Sequence, residues 1–314
     1  MIKFLSLNLL NYLAPPYAAY EFDNILEASQ WQQKQAWLSR LIKQADADVM
    51  AFQEVFSADA LAEQCKALGY PYFLATTSQL DAGSYVYRKP GLALASRFPL
   101  RQVSLYQAAS AEKFSRQPLV ARVKLPQLGW VKVYVLHLKS KRPILDEAAT
   151  QPPGDIEQYL GRWQADKLRT QEVSSLMEDI LLCRKHKLEA VMVMGDFNDD
   201  LSKGALSHIF DPPQPSQDPI EQAWRLHDGY LLSPQQSARP ASHYWGGEGS
   251  VLDYILLSGE FANDYQQQVA EVIAYRCFDR HLTHADYAID SQASDHAAVM
   301  VEIKAWFADA ANAE

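Results

Sequence analysis

Six apolar segments of the chain carry a carboxylate, amide or imidazole within the segment or beside one end. A strand of a plain core would carry another apolar residue there. A single asparagine or aspartate at such a place is usually a turn former. Six together indicate one shared site, because a buried carboxylate without a partner is very costly. The polar groups are Asn8, Gln53-Glu54, His137, Asp196 with Asn198, Asp253, and Asp295-His296.

The donor atoms of these side chains favour a hard divalent cation with acid–base groups nearby. Carboxylate and amide oxygens are the ligands that Mg²⁺ and Mn²⁺ prefer. Zinc is not indicated, because the sequence lacks an HExxH motif, and His281 and His284, three apart without a third ligand, are interpreted as surface residues. The oxygen donors are Glu54, Asp196, Asp295, Asn8 and Asn198.

Other chemistries lack their sequence signatures. The chain has no GxxxxGK[ST], GxGxxG or GxSxG motif, which argues against a nucleotide cradle, a dinucleotide site and a serine hydrolase. Its three cysteines form no CxxC pair, which favours a reducing, cytoplasmic location. The first ten residues weakly resemble a signal peptide, but Ser6 and Asn8 interrupt the apolar run, so a first strand is predicted.

Short apolar segments alternate with polar helical ones, which predicts an α/β protein whose helices lie outside two sheets. Hydrophobic residues make up 48% of the 314 residues, and no apolar run approaches the roughly 20 residues of a membrane helix. One domain is expected over residues 1–306, followed by an alanine-rich tail, 307–314, that frays. The predicted strands are 2–10, 48–52, 91–96, 119–125, 131–138, 190–194, 251–257 and 297–303, and the predicted helices are 31–44, 58–68 and 164–186.

Charge is unevenly distributed along the chain. The net charge is −9, yet residues 80–142 hold twelve basic and two acidic residues. One interpretation is lysine-rich solvent faces of strands, which also protect sheet edges. The other is an anion-binding surface on an otherwise acidic body.

Taken in order, the polar segments resemble the endonuclease/exonuclease/phosphatase superfamily. The resemblance runs from Asn8 to His296 and rests on Gln53-Glu54, the Gly-Asp-Phe-Asn run at 195–198, and the Ser-Asp-His run at 294–296. His137-Leu138-Lys139 and Asp253-Tyr254-Ile255 add to it. The resemblance implies an α+β fold, a four-layer αββα sandwich of two packed mixed sheets flanked by helices. The site would lie in a cleft where the strand ends of the two sheets meet.

The resemblance also implies a role for each polar residue. Glu54 would be the principal Mg²⁺ ligand, assisted by Asn8 and Asp295, with Mn²⁺ as a substitute. His296 would be a general base or transition-state stabiliser oriented by Asp253, and Asp196 would position the attacking water. Asn198 and His137 would bind the scissile phosphate. Lys139, Arg88 and Tyr87 are further candidate substrate contacts.

The leading hypothesis is a Mg²⁺-dependent phosphodiesterase acting on nucleic acid, monomeric and without stable membrane association. The alternative is the same site acting on a soluble or lipid phosphoester, such as a sugar, inositol or nucleotide phosphate. A catalytically inactive binding module is a third hypothesis, disfavoured because the polar set is complete. The loop aromatics Trp245, Tyr244, Trp163 and Tyr159 are interpreted as packing their own loops down rather than as contacts for a base or a lipid.

Overall fold

The computed structural model describes residues 1–80, 83–106, 113–146, 152–187, 189–211, 225–234, 238–263, 265 and 267–306. The predicted frayed tail, 307–314, lies outside the described residues.

Strands and helices alternate along the described chain as the hydrophobic pattern predicts. The strands are β1 Ile2–Tyr12, β2 Ala18–Ala19, β3 Val49–Val55, β4 Tyr72–Ala75, β5 Gln79–Leu80, β6 Val86–Lys89, β7 Gly91–Ser96, β8 Leu100–Gln102, β9 Leu119–Leu125, β10 Gly129–His137, β11 Val191–Asp196, β12 Leu226–Asp228, β13 His243–Trp245, β14 Glu248–Ser250, β15 Asp253–Ser258, β16 Ala270–Phe278 and β17 Ala298–Ala305. The helices are α1 Ala28–Ala45, α2 Ala58–Ala67, α3 Asp155–His186, α4 Gly229–Leu232, α5 Arg280–Thr283 and α6 Tyr287–Asp290, with 3-10 helices at Gly204–Phe210 and Gly259–Phe261.

Two six-stranded mixed sheets form the body of the molecule. The first has the order β16-β17-β1-β3-β7-β4 and the second the order β12-β15-β11-β10-β9-β8. In the first sheet β1 pairs parallel with β3 and antiparallel with β17. In the second sheet β11 pairs parallel with β10 and antiparallel with β15.

The two sheets pack face to face through an apolar layer to which both contribute. Phe4 of β1 and Ala51 of β3 share this layer with Val133 of β10 and Met194 of β11. Helices α1 and α2 cover the outer face of the first sheet, and α3 covers the outer face of the second. The four-layer αββα sandwich is therefore confirmed.

Element boundaries follow the predictions most closely where the alternation is regular. β7 and β9 have the predicted bounds, whereas α3 begins at Asp155 rather than at 164. The first turns of α3 expose Ile156, Tyr159 and Leu160 to solvent, so they lack the buried stripe that marks the rest of the helix. β16 was not predicted. None of the described helices is long and apolar enough to cross a bilayer.

Candidate active site

The side-chain alternation of the strands directs polar residues of both sheets toward the same interior space. Along β1, Ile2 and Phe4 face the layer between the sheets, so Ser6 and Asn8 follow on that face. Along β10 the series Val131, Val133 and Val135 ends in the same way at His137. Asp196 follows Met192 and Met194 on β11, and Asp253 precedes Ile255 and Leu257 on β15.

Strand pairing sets three of these residues side by side. His137 on β10 pairs with Asp196 on β11, and Asp196 pairs with Asp253 on β15. Because neighbouring strands lie about 4.8 Å apart, the three side chains form one row across the end of the second sheet.

Glu54 reaches the site through an irregularity in β3. Its φ is +58°, and the pairing of β3 with β7 shifts register between Phe52 and Val55. β1 has a matching irregularity, with Leu10 and Asn11 also in the left-handed region. A bulge re-aims a side chain out of the regular alternation, and non-glycine residues in this backbone region are costly enough to mark functional sites. The main-chain N–H of Asn11 donates to Glu54 Oε2 at 2.9 Å and holds the carboxylate in place.

Asp196 Oδ2 is the point on which the site converges. It accepts hydrogen bonds from Asn8 Nδ2 at 3.0 Å and from Asn198 Nδ2 at 3.3 Å. The Nε2 atoms of His137 and His296 lie 3.5 Å and 3.8 Å from the same oxygen. Oδ1 of Asp196 accepts from the main-chain N–H of Asn198 at 2.8 Å. Burial raises the pKa of this carboxyl group to about 7, although these donors oppose the shift.

His296 is held by contacts to both sheets. Its Nδ1–H donates to Asp253 Oδ2 at 2.8 Å, and its main-chain N–H donates to Ser294 Oγ at 3.0 Å. The Ser294 hydroxyl in turn donates to the main-chain oxygen of Asn8 at 2.6 Å. Burial disfavours the imidazolium, but the carboxylates of Asp253 and Asp196 outweigh it and raise the pKa of His296 to about 10.

His137 is the opposite case of a buried histidine. Burial and the nearby Arg116 hold its pKa well below the usual range, so its ring is neutral. Nε2 lies 3.5 Å from Asp196 Oδ2 and 4.0 Å from Glu54 Oε1. The Nδ1 atom of His137 is buried without a hydrogen-bond partner among the described residues. A neutral ring with Nε2 protonated therefore presents a donor to the centre of the site.

The predicted metal ligands fall into two subsets. Asn8 Nδ2 donates to Glu54 Oε1 at 3.3 Å, so these two residues are in contact. Asn8 presents its amide nitrogen to the carboxylates, while its Oδ1 accepts from the Leu10 N–H at 3.0 Å. A half-turn of the amide exchanges the positions of these two atoms. Asp295 instead lies near His243, with 4.0 Å between Oδ2 and Nε2.

Two groups of described side chains have ligand atoms close enough to hold a metal ion. One consists of His243, Asp295 and His296, and the other of Asp196, Asp253 and His296. Both groups share His296, and both adjoin the Asn8–Glu54 pair through Asp196. The donor set of carboxylates and amides fits a divalent cation in this cleft.

Sequence reasoning missed two titratable neighbours of the site. Lys34 of α1 is 5% exposed and lies near the carboxylates of Glu54 and Asp295. Burial lowers its pKa to about 8, against the opposing effect of those two carboxylates. The ring of His243 lies 4.9 Å from that of His296, on a strand too short to show a pattern. A basic residue interrupting the apolar face of a predicted helix is the signal that points to Lys34.

The predicted substrate contacts support loops at the rim of the site. Lys139 Nζ donates to Arg142 O at 2.8 Å and to Ser140 O at 3.0 Å. Arg88 Nη1 donates to Tyr20 O at 3.0 Å, and the ring of Tyr87 packs against Phe56. These three residues hold the segments that flank the cleft.

The interpretation of the loop aromatics as packing residues is wrong for three of the four. Trp245 is 82% exposed, Trp163 63% and Tyr159 59%, so their rings face solvent. Tyr159 and Trp163 lie one turn apart on the first half of α3, with ring centroids 6.5 Å apart. His281, interpreted as a surface residue, packs on Trp37 and approaches the main-chain oxygen of His296 at 3.0 Å.

Fold and site together define a class of protein. Two packed mixed sheets whose strand ends meet in a cleft of carboxylates, amides and imidazoles are the framework of divalent-metal-dependent phosphoric ester hydrolases. The chain belongs to the Endonuclease/Exonuclease/phosphatase family, whose model matches residues 5–296. The superfamily predicted from the motifs is thereby confirmed.

Solved structures share this fold at low sequence identity. An endonuclease/exonuclease/phosphatase family protein from Leptotrichia buccalis is 17% identical, with a TM-score of 0.55, over 97% of this chain and 100% of that one. The 3′ phosphatase NExo from Neisseria, bound to a product DNA hairpin, is 14% identical at a TM-score of 0.55 over 97% and 100%. ANGEL2, a 2′,3′-cyclic phosphatase, is 14% identical at 0.58 over 96% and 95%. No curated protein sequence matches the chain.

Proposed function

We propose that the chain is a Mg²⁺-dependent phosphodiesterase that hydrolyses nucleic acid. The observation that carries the proposal is the convergence of four side-chain nitrogens on Asp196 Oδ2, supplied by Asn8, Asn198, His137 and His296. Hydrolysis of a phosphodiester needs a positioned water, a base and neutralisation of charge on the phosphoryl oxygens. This arrangement supports all three.

Glu54 and Asn8 would hold the cation, and the group formed by Asp295 and His243 offers a neighbouring position. Oxygen-rich ligands favour Mg²⁺, with Mn²⁺ as a substitute. When bound, the cation neutralises charge on a phosphoryl oxygen. Every other task falls to the side chains of the chain.

Asp196 would orient the attacking water and accept its proton. Its raised pKa, about 7, matches a base that works near neutral pH. His296 would remain an imidazolium, because its pKa is about 10, and would stabilise the charge that develops on the phosphoryl group. This choice between the two roles predicted for His296 follows from its contact with Asp253.

His137 and Asn198 would donate to the remaining phosphoryl oxygens. The neutral His137 ring directs Nε2 into the site. Asn198 Nδ2 is held by the main-chain oxygen of Leu138 at 3.0 Å and would exchange its longer bond to Asp196 Oδ2, at 3.3 Å, for a phosphoryl oxygen. Each group is fixed before substrate arrives, which is what transition-state stabilisation by preset donors requires.

A nucleic acid substrate is supported by the surface around the cleft. The basic segment 80–142 supplies cations beside the site, and exposed Trp163 and Tyr159 offer faces for base stacking. A second candidate is removal of a terminal phosphate from a nucleic acid, favoured by the similarity to a 3′ phosphatase bound to DNA and to a 2′,3′-cyclic phosphatase. The complete set of polar residues disfavours an inactive binding module.

One assay tests the proposal. The purified protein is given plasmid, a single-stranded oligonucleotide, a 3′-phosphorylated oligonucleotide, bis-p-nitrophenyl phosphate and p-nitrophenyl phosphate, with Mg²⁺, Mn²⁺ or chelator. The expected result is cleavage of the diesters with either metal and none with chelator, with His296→Ala inactive. Cleavage of monoesters alone would support the terminal phosphatase, and inertness toward every substrate would contradict both.

A further inference from the structure

A cluster of basic side chains lies beside the carboxylates of the site. We call Arg116, Lys139 and Arg142, together with the hydroxyl of Tyr20, the cationic cluster. Arg116 precedes β9, and the two other cations follow β10. Arg116 Nη1 donates to the main-chain oxygens of His137, at 3.5 Å, and Leu138, at 3.0 Å. Its guanidinium also interacts with the Tyr20 hydroxyl, and Arg142 lies near the same hydroxyl.

Shared contacts attach the cationic cluster to the proposed catalytic residues. The main-chain oxygen of Leu138 that accepts from Arg116 also accepts from Asn198 Nδ2, at 3.0 Å. On the opposite side, Tyr20 lies near Glu54. The cationic cluster is therefore directly joined to His137 and Asn198, the two residues proposed to donate to the scissile phosphate.

Tyr20 is fixed in place by contacts outside the cationic cluster. Its φ is +65°, its main-chain N–H donates to Tyr87 O at 2.8 Å, and its ring packs edge-to-face on Phe56. Arg88 donates to its carbonyl oxygen at 3.0 Å. These contacts hold the main chain and the ring of Tyr20, whose hydroxyl interacts with Arg116.

The cations of the cationic cluster form no ion pair within the part of the chain that the structure describes. No described carboxylate lies within ion-pair distance of Arg116, Lys139 or Arg142. The nearby Glu172 carboxylate already accepts from the main-chain N–H groups of Ser115 and Lys139, both at 2.7 Å. Burial and the adjacent Arg116 lower the pKa of Lys139 to about 8, as expected for like charges held together.

We propose that the cationic cluster is a second phosphate subsite, which binds the phosphate next to the scissile one in a single nucleic acid strand. The inference rests on the proposed function and makes it narrower. A substrate with only one phosphate cannot use this subsite, whereas a strand with neighbouring phosphates neutralises the cationic cluster and gains affinity from it.

Binding measurements test the subsite without depending on catalysis. A fluorescein-labelled single-stranded octathymidylate is titrated with the His296→Ala protein in Mg²⁺ at several salt concentrations, and fluorescence anisotropy gives Kd. Each phosphate contact contributes about 0.7 to the slope of log affinity against log salt for a single strand. Arg142 is exposed, and Arg142→Gln is introduced into the His296→Ala protein. This second substitution is expected to reduce the slope by about 0.7 and to weaken binding at low salt.

The matched control is Lys124→Gln. Lys124 is an exposed cation of the same basic segment, but it pairs with Trp130 at the far end of β10, about 23 Å along the strand from His137. The slope of log affinity against log salt for Lys124→Gln in the His296→Ala background is expected to equal that of the His296→Ala protein alone. Equal slopes for Arg142→Gln and Lys124→Gln, or no measurable binding by the parent at low salt, would overturn the subsite. A reduced slope in a protein whose wild type cleaves no diester would keep the subsite and refute the catalytic proposal.

Discussion

Asp253 accepts a hydrogen bond from His296 Nδ1 at 2.8 Å, and this bond joins the two sheets of the sandwich. Asp253 begins β15 in the second sheet, and His296 lies two residues before β17 of the first. A carboxylate that partners imidazole Nδ1 fixes the tautomer and stabilises the imidazolium. The charge state of the proposed catalytic histidine therefore depends on a residue from the opposite sheet.

Asp253→Asn is expected to change the pH profile of the enzyme as well as its rate. Activity should fall below about pH 7, as Asp196 becomes protonated, and above about pH 10, as His296 loses its proton. Asp253 raises both pKa values, so its removal moves both limbs of the profile to lower pH. The rate should fall by about 100-fold. The measurement is kcat/KM for bis-p-nitrophenyl phosphate from pH 5 to 11.

The control for this variant is Asp59→Asn, which removes an exposed carboxylate from α2. Its profile should match that of the wild type. An alkaline limb that does not move in Asp253→Asn would show that His296 does not act as the imidazolium that Asp253 stabilises.

Glu54→Gln is expected to weaken metal binding by at least about 10-fold, since it removes the charge of the principal proposed ligand. Activity should fall most at low Mg²⁺ and recover in part at high Mg²⁺. Titration calorimetry with Mn²⁺ reports the affinity directly, and Glu63→Gln, an exposed glutamate of α2, is the control. An equal loss of activity at every metal concentration would indicate that Glu54 is not a ligand.

Lys34→Met is expected to tighten metal binding. The buried ammonium of Lys34 lies near Glu54 and Asp295 and offsets part of the negative charge that attracts a cation. Its removal should lower the Kd for Mn²⁺ several-fold in calorimetry, while Lys34→Arg keeps the charge and should not. Lys43→Met, an exposed lysine of the same helix, controls for the loss of a surface charge. A weaker affinity in Lys34→Met would place Lys34 in the support of Glu54 instead.

Trp163→Ala is expected to weaken the binding of a single strand by about 1–3 kcal/mol, the range measured for loss of one stacked base. Trp163 is 63% exposed on the first half of α3, the helix whose Arg169 donates to the main-chain oxygen of Lys139 at 2.9 Å. The same anisotropy assay measures the effect, with Trp306→Ala as the control. An unchanged affinity would show that the bound strand does not stack on Trp163 of α3.

The positions that the sequence predicts best are those governed by local periodicity. Asn8, His137 and Asp196 each continue an inward-facing apolar series, so a period of two residues suffices to direct them into the layer between the sheets. Strand pairing then sets His137 beside Asp196 in the second sheet, and Asn8 meets Asp196 from the first sheet.

Other parts of the site depend on contacts that periodicity does not encode. Glu54 enters through a bulge in β3, which reverses the direction that alternation alone would give its side chain. Lys34, His243 and Arg116 come from a helix, a three-residue strand and a loop, and they reach the site only because distant segments pack together. Such long-range placement leaves no periodic signal in the sequence.

The apolar layer between the sheets also sets the catalytic alignment. Glu54 belongs to one sheet and Asp196 to the other, and each is anchored to its own strand. If one sheet shifted across the other by about one residue, the proposed cation ligand Glu54 would move away from the proposed base Asp196. All hydrogen bonds between the strands within each sheet would remain intact. Core residues such as Phe4 and Met194 touch no substrate, but their packing keeps Glu54 and Asp196 in position relative to each other.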